Sequence, residues 1–161
     1  MTSLLHGVTL VATLGCGLSA GVFFAFSAFI MPALGRLPPA QGIAAMQSIN
    51  KLAVTPAFMT ALFGTALACL GLAVWAVVIW GEHAAAWVFA GSALYLAGVI
   101  GVTIVANVPL NDALAAVDPG SDAAAAGGWG RYLGRWTAWN HVRATASLGA
   151  SGLLAVALLL G

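Results

Sequence analysis

Trp136, Asn140 and Arg143 stand at positions i, i+4 and i+7, which on an α-helix gathers an indole, an amide and a guanidinium on one face, with Tyr132 and Trp139 flanking it. Arginine stays protonated and can pair with an oxyanion such as a phenolate or enolate. An asparagine amide both donates and accepts, and an indole stacks on a flat ring. The set suits a flat, oxygen-bearing aromatic molecule. The same residue types also anchor helices at headgroup depth, where Trp and Tyr form belts and Arg snorkels. On this face alone both readings stand.

A second cluster, Asn107-Val108-Pro109-Leu110-Asn111-Asp112, shifts the balance toward a site. Thr103 and Asn107 are an i, i+4 pair, and Pro109 removes a backbone donor and disrupts the turn before it, so a broken helix end is expected here. Two Asn residues and an Asp around such an end make poor lipid anchors and good pocket lining. His141 is a candidate general base. It is rotated about 100° from the Asn140 face, so a neighbouring helix or the headgroups are its other destinations. No two His residues share helical i, i+3 or i, i+4 spacing, and neither HExxH nor a Cys cluster occurs, so no metal or haem site is expected. Cys16 and Cys69 lie inside apolar runs and read as small hydrophobes.

The elements that must hold these residues follow from composition. At 62% hydrophobic and 6% charged, the chain cannot cover itself with a solvated surface, so it belongs in a lipid bilayer. Five Lys and Arg against four Asp and Glu exclude a nucleic-acid partner. Crossing a hydrocarbon core of about 30 Å takes roughly 20 helical residues. Residues 4–34, 56–80, 84–108 and 139–160 qualify, which makes one all-α domain, a four-helix transmembrane bundle. The first run has no Lys or Arg before it and is too long for the core of a signal peptide, so a retained span is expected; Ser19-Ala20-Gly21 mimics a cleavage site and supplies the other reading. Short interfacial helices are expected in the first and third connections. Residues 40–53 place Ile43, Met46, Ile49 and Leu52 near the helical period. Asp118-Pro119-Gly120-Ser121-Asp122 reads as a turn before an Ala-rich run, with a helix resuming near Trp129.

Gly81-Glu82-His83 allows only a tight hairpin between the second and third spans. Arg36, Lys51, Arg131 and Arg135 sit in the other two connections, so the positive-inside rule puts those in the cytoplasm and both termini outside, in what reads as a bacterial inner membrane. Asn50, Asn107, Asn111, Asn140, His141 and Arg143 then converge at one mouth of the bundle. Gly17 with Gly21, Gly64 with Ala68, and Ser147 with Ser151 are small-residue pairs that serve either seams within one bundle or a homo-oligomer interface.

The first span's Phe23-Phe24-Ala25-Phe26-Ser27 and Met31-Pro32-Ala33-Leu34, then Ile49-Asn50, Asn107-Val108-Pro109-Leu110-Asn111 and Trp136-x-x-Trp139-Asn140-x-x-Arg143, occur in the order seen in the anthrone oxygenase-like membrane family, which the chain resembles. The resemblance implies an oxygenase without metal or flavin, whose partners are dioxygen and a hydrophobic aromatic molecule such as an anthrone, oxidised to a quinone. On that reading Trp136, Trp139 and Tyr132 bind the flat ring, with Asn111 and Asn50 beside it. Arg143, with Asn140 or Asn107, stabilises the oxyanion, and His141 or Asp112 takes the proton. The competing expectation is a non-catalytic membrane protein that binds a quinone, lipid or hydrophobic metabolite, or stabilises a partner complex.

Overall fold

The computed structural model describes residues 2–78, 80–120 and 127–161. Among the described residues the fold consists of five helices: α1 (Ser3–Leu34), α2 (Pro39–Leu52), α3 (Pro56–Val78), α4 (Ala85–Ala115) and α5 (Trp129–Leu160). All but α2 are long and apolar enough to cross a bilayer, and no strand occurs among the described residues. The chain is a multi-pass membrane protein. Its helices close into a ring in which α1 packs on α5, α5 on α4, α4 on α3 and α3 back on α1.

Lipid, not water, is the solvent this arrangement answers. Leu14, Leu18, Leu67, Val74 and Leu148 point outward, whereas Thr9, Ser19, Thr65, Ser92 and Ser147 are buried. Since lipid tails give no hydrophobic drive for association, close backbone approach and interhelical hydrogen bonds do the joining. Tyr95 on α4 meets Ser19 Oγ of α1 at 3.0 Å and donates to the Leu62 carbonyl of α3 at 3.3 Å, tying three spans. Gly15 of α1 presses on Thr65 of α3, and between α4 and α5 the close approach is a pair of glycines seven residues apart. A Cβ on Gly98 would lie 2.5 Å from the Ala146 Cβ, and one on Gly91 would lie 3.1 Å from the Ala150 carbonyl. Of the expected small-residue pairs, Ser151 bonds the Thr13 carbonyl, while Gly21 and Gly64 have open space beside them.

One helix end differs from expectation: the helix of the third span runs through Pro109 to Ala115, whereas the helix expected to resume near Trp129 and run into the fourth span does so. Pro109 does not break α4 because the turn before it widens. Thr103–Asn107 is π-helical, ends two residues before Pro109, and follows another π segment at Leu96–Gly101. In α1, Phe26–Ile30 is π-helical and ends two residues before Pro32. A proline ring collides with the carbonyl four residues back, and a wider turn relieves that contact without ending the helix. In lipid this is the economical solution, since a broken end would leave polar backbone with no water to satisfy it.

The first connection holds the expected helix, α2. In the other long connection the described helical residues belong to the extended ends of α4 and α5. The expected turn is visible as Gly120 N–H donating to Asp118 Oδ1 at 3.1 Å, and Ser121, Asp122 and most of the Ala-rich run lie outside the described residues. In the α3–α4 hairpin Gly81 takes φ 117°, a left-handed conformation that favours glycine.

Candidate functional site

Both proline-associated π turns face the same stretch of α5. From the α1 side, the Phe23 carbonyl and Ser27 Oγ accept from Asn140 Nδ2 at 2.6 and 2.7 Å. From the α4 side, Thr103 Oγ1 accepts from Arg143 Nη1 at 3.4 Å, and Asn107 Nδ2 donates to the Trp136 carbonyl at 3.3 Å. Asn140 Oδ1 accepts from Arg143 Nη2 at 2.7 Å. Only one orientation of the Asn140 amide satisfies two acceptors on α1 and a cationic donor on α5.

Arg143 is 6% exposed, and its Cζ lies 4.4 Å from the centre of the Phe23 ring and 5.2 Å from that of Trp136. No carboxylate among the described residues reaches it, and its Nε has no partner. A buried guanidinium normally sits opposite an anion, because withdrawing a charge from water costs several kcal/mol unless it is paired. Here aromatic faces and neutral oxygens hold it, which leaves its charge available.

That charge borders a cavity of about 520 Å³. Phe23 and Phe26 of α1, Met46 of α2, Phe58 of α3 and Trp136 of α5 give it apolar walls, and Thr103, Asn111, Asn50 and Arg143 supply the polar groups. A mostly apolar chamber with a few convergent polar groups is the usual form of a small-molecule site. Trp136 is fixed by a tilted contact with Phe26, ring centres 5.7 Å apart, and by Nε1 donating to Asn111 Oδ1 at 2.8 Å. The same Asn111 oxygen accepts from the Tyr132 hydroxyl at 3.0 Å. Behind it Tyr132 stacks on Trp129 at 5.6 Å, and Trp129 presses on Gly42 of α2, where a Cβ would lie 2.7 Å from the indole.

Not all expected site residues meet here. Arg143, Trp136, Asn111 and Asn50 line the cavity; Asn140 and Tyr132 support it from behind. Asn107 is buried but does not line it, since its amide is turned to the α5 backbone. Trp139 and His141 fall outside. Successive helical residues turn by about 100°, so residues on either side of Asn140 cannot share its direction. Both are exposed, and His141 borders a shallow groove with Met31, Pro32 and Thr137. Asp112 is exposed too and borders no part of the cavity, so neither expected base is positioned beside Arg143. Among the described residues no three His, Cys, Asp or Glu side chains cluster in a way that could hold a metal ion.

A family model described as anthrone oxygenase matches residues 56–153, more than half of the chain. The chain belongs to the anthrone oxygenase family. No curated protein and no solved structure matches it. The segment matched to the family carries Thr103, Asn111, Trp136, Asn140 and Arg143, while Phe23, Phe26 and Asn50 come from outside it to complete the cavity.

In the sequence Phe58 carries no mark of the site, Met46 reads only as part of an apolar helix face, and Phe23 and Phe26 stand out only as pieces of the resemblance. Apolar residues within apolar helices carry no mark of which face they occupy. Asn111 is the junction of this site, and Asn111→Ala should leave both the Tyr132 hydroxyl and the Trp136 indole N–H without an acceptor. Each stranded buried donor costs about 1–3 kcal/mol. A lowered unfolding midpoint in detergent, with altered indole emission, is expected; an unchanged midpoint would mean that other acceptors replace it.

Proposed function

We propose that the protein is a membrane-embedded oxygenase that needs no cofactor and converts a flat, hydrophobic, anthrone-like aromatic to a quinone. The observation that carries this reading is Arg143, a buried cation without a carboxylate, set between aromatic rings at the edge of an apolar cavity. An anthrone methylene is acidic because its carbanion is also the enolate of a phenol-like ring. Arg143 lowers the cost of that negative charge in a site of low dielectric, and preorganised stabilisation of this kind is often the largest catalytic contribution.

No imidazole or carboxylate lines the cavity, so the proton leaves to water as the substrate oxygen reaches the guanidinium. The carbanion passes one electron to dioxygen, and recombination forms the carbon–oxygen bond of a peroxide anion. Protonation gives a hydroperoxide on the former methylene carbon, and loss of water leaves the carbonyl. Methylene and dioxygen thus yield ketone and water, with no external reductant. Trp136 and Phe26 hold the ring plane, and Asn50 and Asn111 offer amides to its other oxygens.

The missing side-chain base also suits a second reading, in which the cavity only binds a quinone or similar metabolite. Oxygen uptake by purified protein on adding an anthrone separates them. One dioxygen consumed per quinone formed, at a rate proportional to protein, is the expected result; uptake no faster than without protein would leave binding alone.

A further inference from the structure

We infer that the cavity takes its ligand sideways from the bilayer, through an opening framed by Leu52, Val54 and Phe63, and that the ligand is an amphiphile whose ionisable oxygen leads. This rests on the cavity being the ligand site and holds whether or not oxidation follows. The three framing residues line the cavity yet are 68%, 71% and 50% exposed. Leu52 ends α2, Val54 lies in the α2–α3 connection and Phe63 on the face of α3 beyond it, and Leu52-Ala53-Val54 is an apolar run between Lys51 and Thr55 although it joins two helices. A connection bathed in water carries polar residues; this one presents hydrocarbon to hydrocarbon.

The cavity therefore grades from an apolar rim to a cationic floor at Arg143. No Lys or Arg is among the residues that line its rim; Lys51, next to Leu52, is exposed and does not line the cavity. Two further concavities end elsewhere: an open groove bordered by Arg131, Arg135 and Trp129, and the shallow one beside His141, neither of which includes Arg143. A molecule held in either of those grooves, where Arg131, Arg135 and His141 lie, does not meet the Arg143 guanidinium. A neutral aromatic already dissolved in lipid meets a continuous apolar path and ionises only at its end. The roof of this path is α2, strapped to the end of α4 by Gln47 Nε2, which donates to the Leu114 and Val117 carbonyls at 2.9 Å each.

The test uses the whole protein in lipid nanodiscs and a hydroxynaphthalene carrying a photoreactive diazirine, with labelled peptides mapped by mass spectrometry. Cys16 and Cys69 are buried, so a bulky maleimide added after folding selects a new thiol. Alkylation of the Val54→Cys protein should reduce labelling of the cavity peptides about tenfold by closing the route of association. The same treatment of Arg135→Cys should leave it unchanged, and unalkylated Val54→Cys controls for folding. Labelling that survives the block at position 54, or that is lost on blocking position 135, overturns the portal. Raising lipid at fixed probe and protein should also dilute the labelling; dependence on aqueous probe alone would overturn the portal as well. Oxygen uptake with an anthrone on the same samples keeps the two readings apart. Blocked labelling without any uptake retains the portal and removes the oxygenase, whereas uptake undiminished by the block at position 54 does the reverse.

Discussion

Arg143→Met is expected to lower kcat/KM for anthrone oxidation by about 10²–10³ while leaving the protein folded and near wild-type stability. The loss follows from removing the one positive charge that borders the cavity. The unchanged stability follows from two opposed effects. Methionine of similar length removes a buried charge that no carboxylate compensates, which stabilises the fold. Against that, Asn140 Oδ1 loses the donor now 2.7 Å away, at a cost of about 1–3 kcal/mol. Lysine at this position keeps the charge but loses the fork that reaches Asn140 and Thr103 together, so it should restore part of the rate. Oxygen uptake and thermal unfolding in the same detergent provide the check. A methionine variant with the wild-type rate would refute the assignment, and one that unfolds readily with lysine restoring the midpoint would make Arg143 a structural residue.

The same residues show how far sequence reaches. Four spans are legible because no water-soluble arrangement can bury so much hydrocarbon, and the Trp136, Asn140 and Arg143 face is legible because helical spacing is rigid. All three are buried, and all meet at one cavity wall or directly behind it. Trp139 and His141 have chemistry that suits the site, but their angular positions on α5 point them elsewhere. Pro109 reads as a break, since in water a proline ends a helix; in lipid the chain widens a turn and continues to Ala115. That widening could be anticipated only from the parallel with Pro32, each preceded by a π turn whose residues bond to α5. Position along α5 mattered as well. Its 32 residues, at about 1.5 Å each, outrun a hydrocarbon core of about 30 Å, so the aromatic residues before Asn140 belong to the same continuous helix as the site.

Asn140 allows a sharper separation of positioning from charge. Asn140→Ala removes the link between the α1 π turn and the guanidinium, leaving the Phe23 carbonyl, Ser27 Oγ and Arg143 Nη2 without that partner. A guanidinium free to shift by an ångström stabilises a developing oxyanion poorly, so kcat should fall about tenfold or more, with KM for the flat ring nearly unchanged because the apolar walls remain. Asn140→Asp preserves the size of the side chain and its bond to Arg143 and gives the cation the anion it lacks, but it loses the N–H donor to the Phe23 carbonyl and Ser27 Oγ and sets a carboxylate oxygen against that carbonyl. If Asn140 served only to hold α5 against α1, the kcat losses of both variants would follow their losses of stability. If the free charge of Arg143 is what the cavity uses, aspartate should lose about 10² in kcat, more than its fall in stability explains, because the guanidinium is then neutralised before substrate arrives. Measuring kcat and KM for both variants by oxygen uptake, beside their unfolding midpoints, decides between these outcomes: rates that track the midpoints assign the cluster to helix packing, and an aspartate rate that falls well below that trend assigns it to the oxyanion.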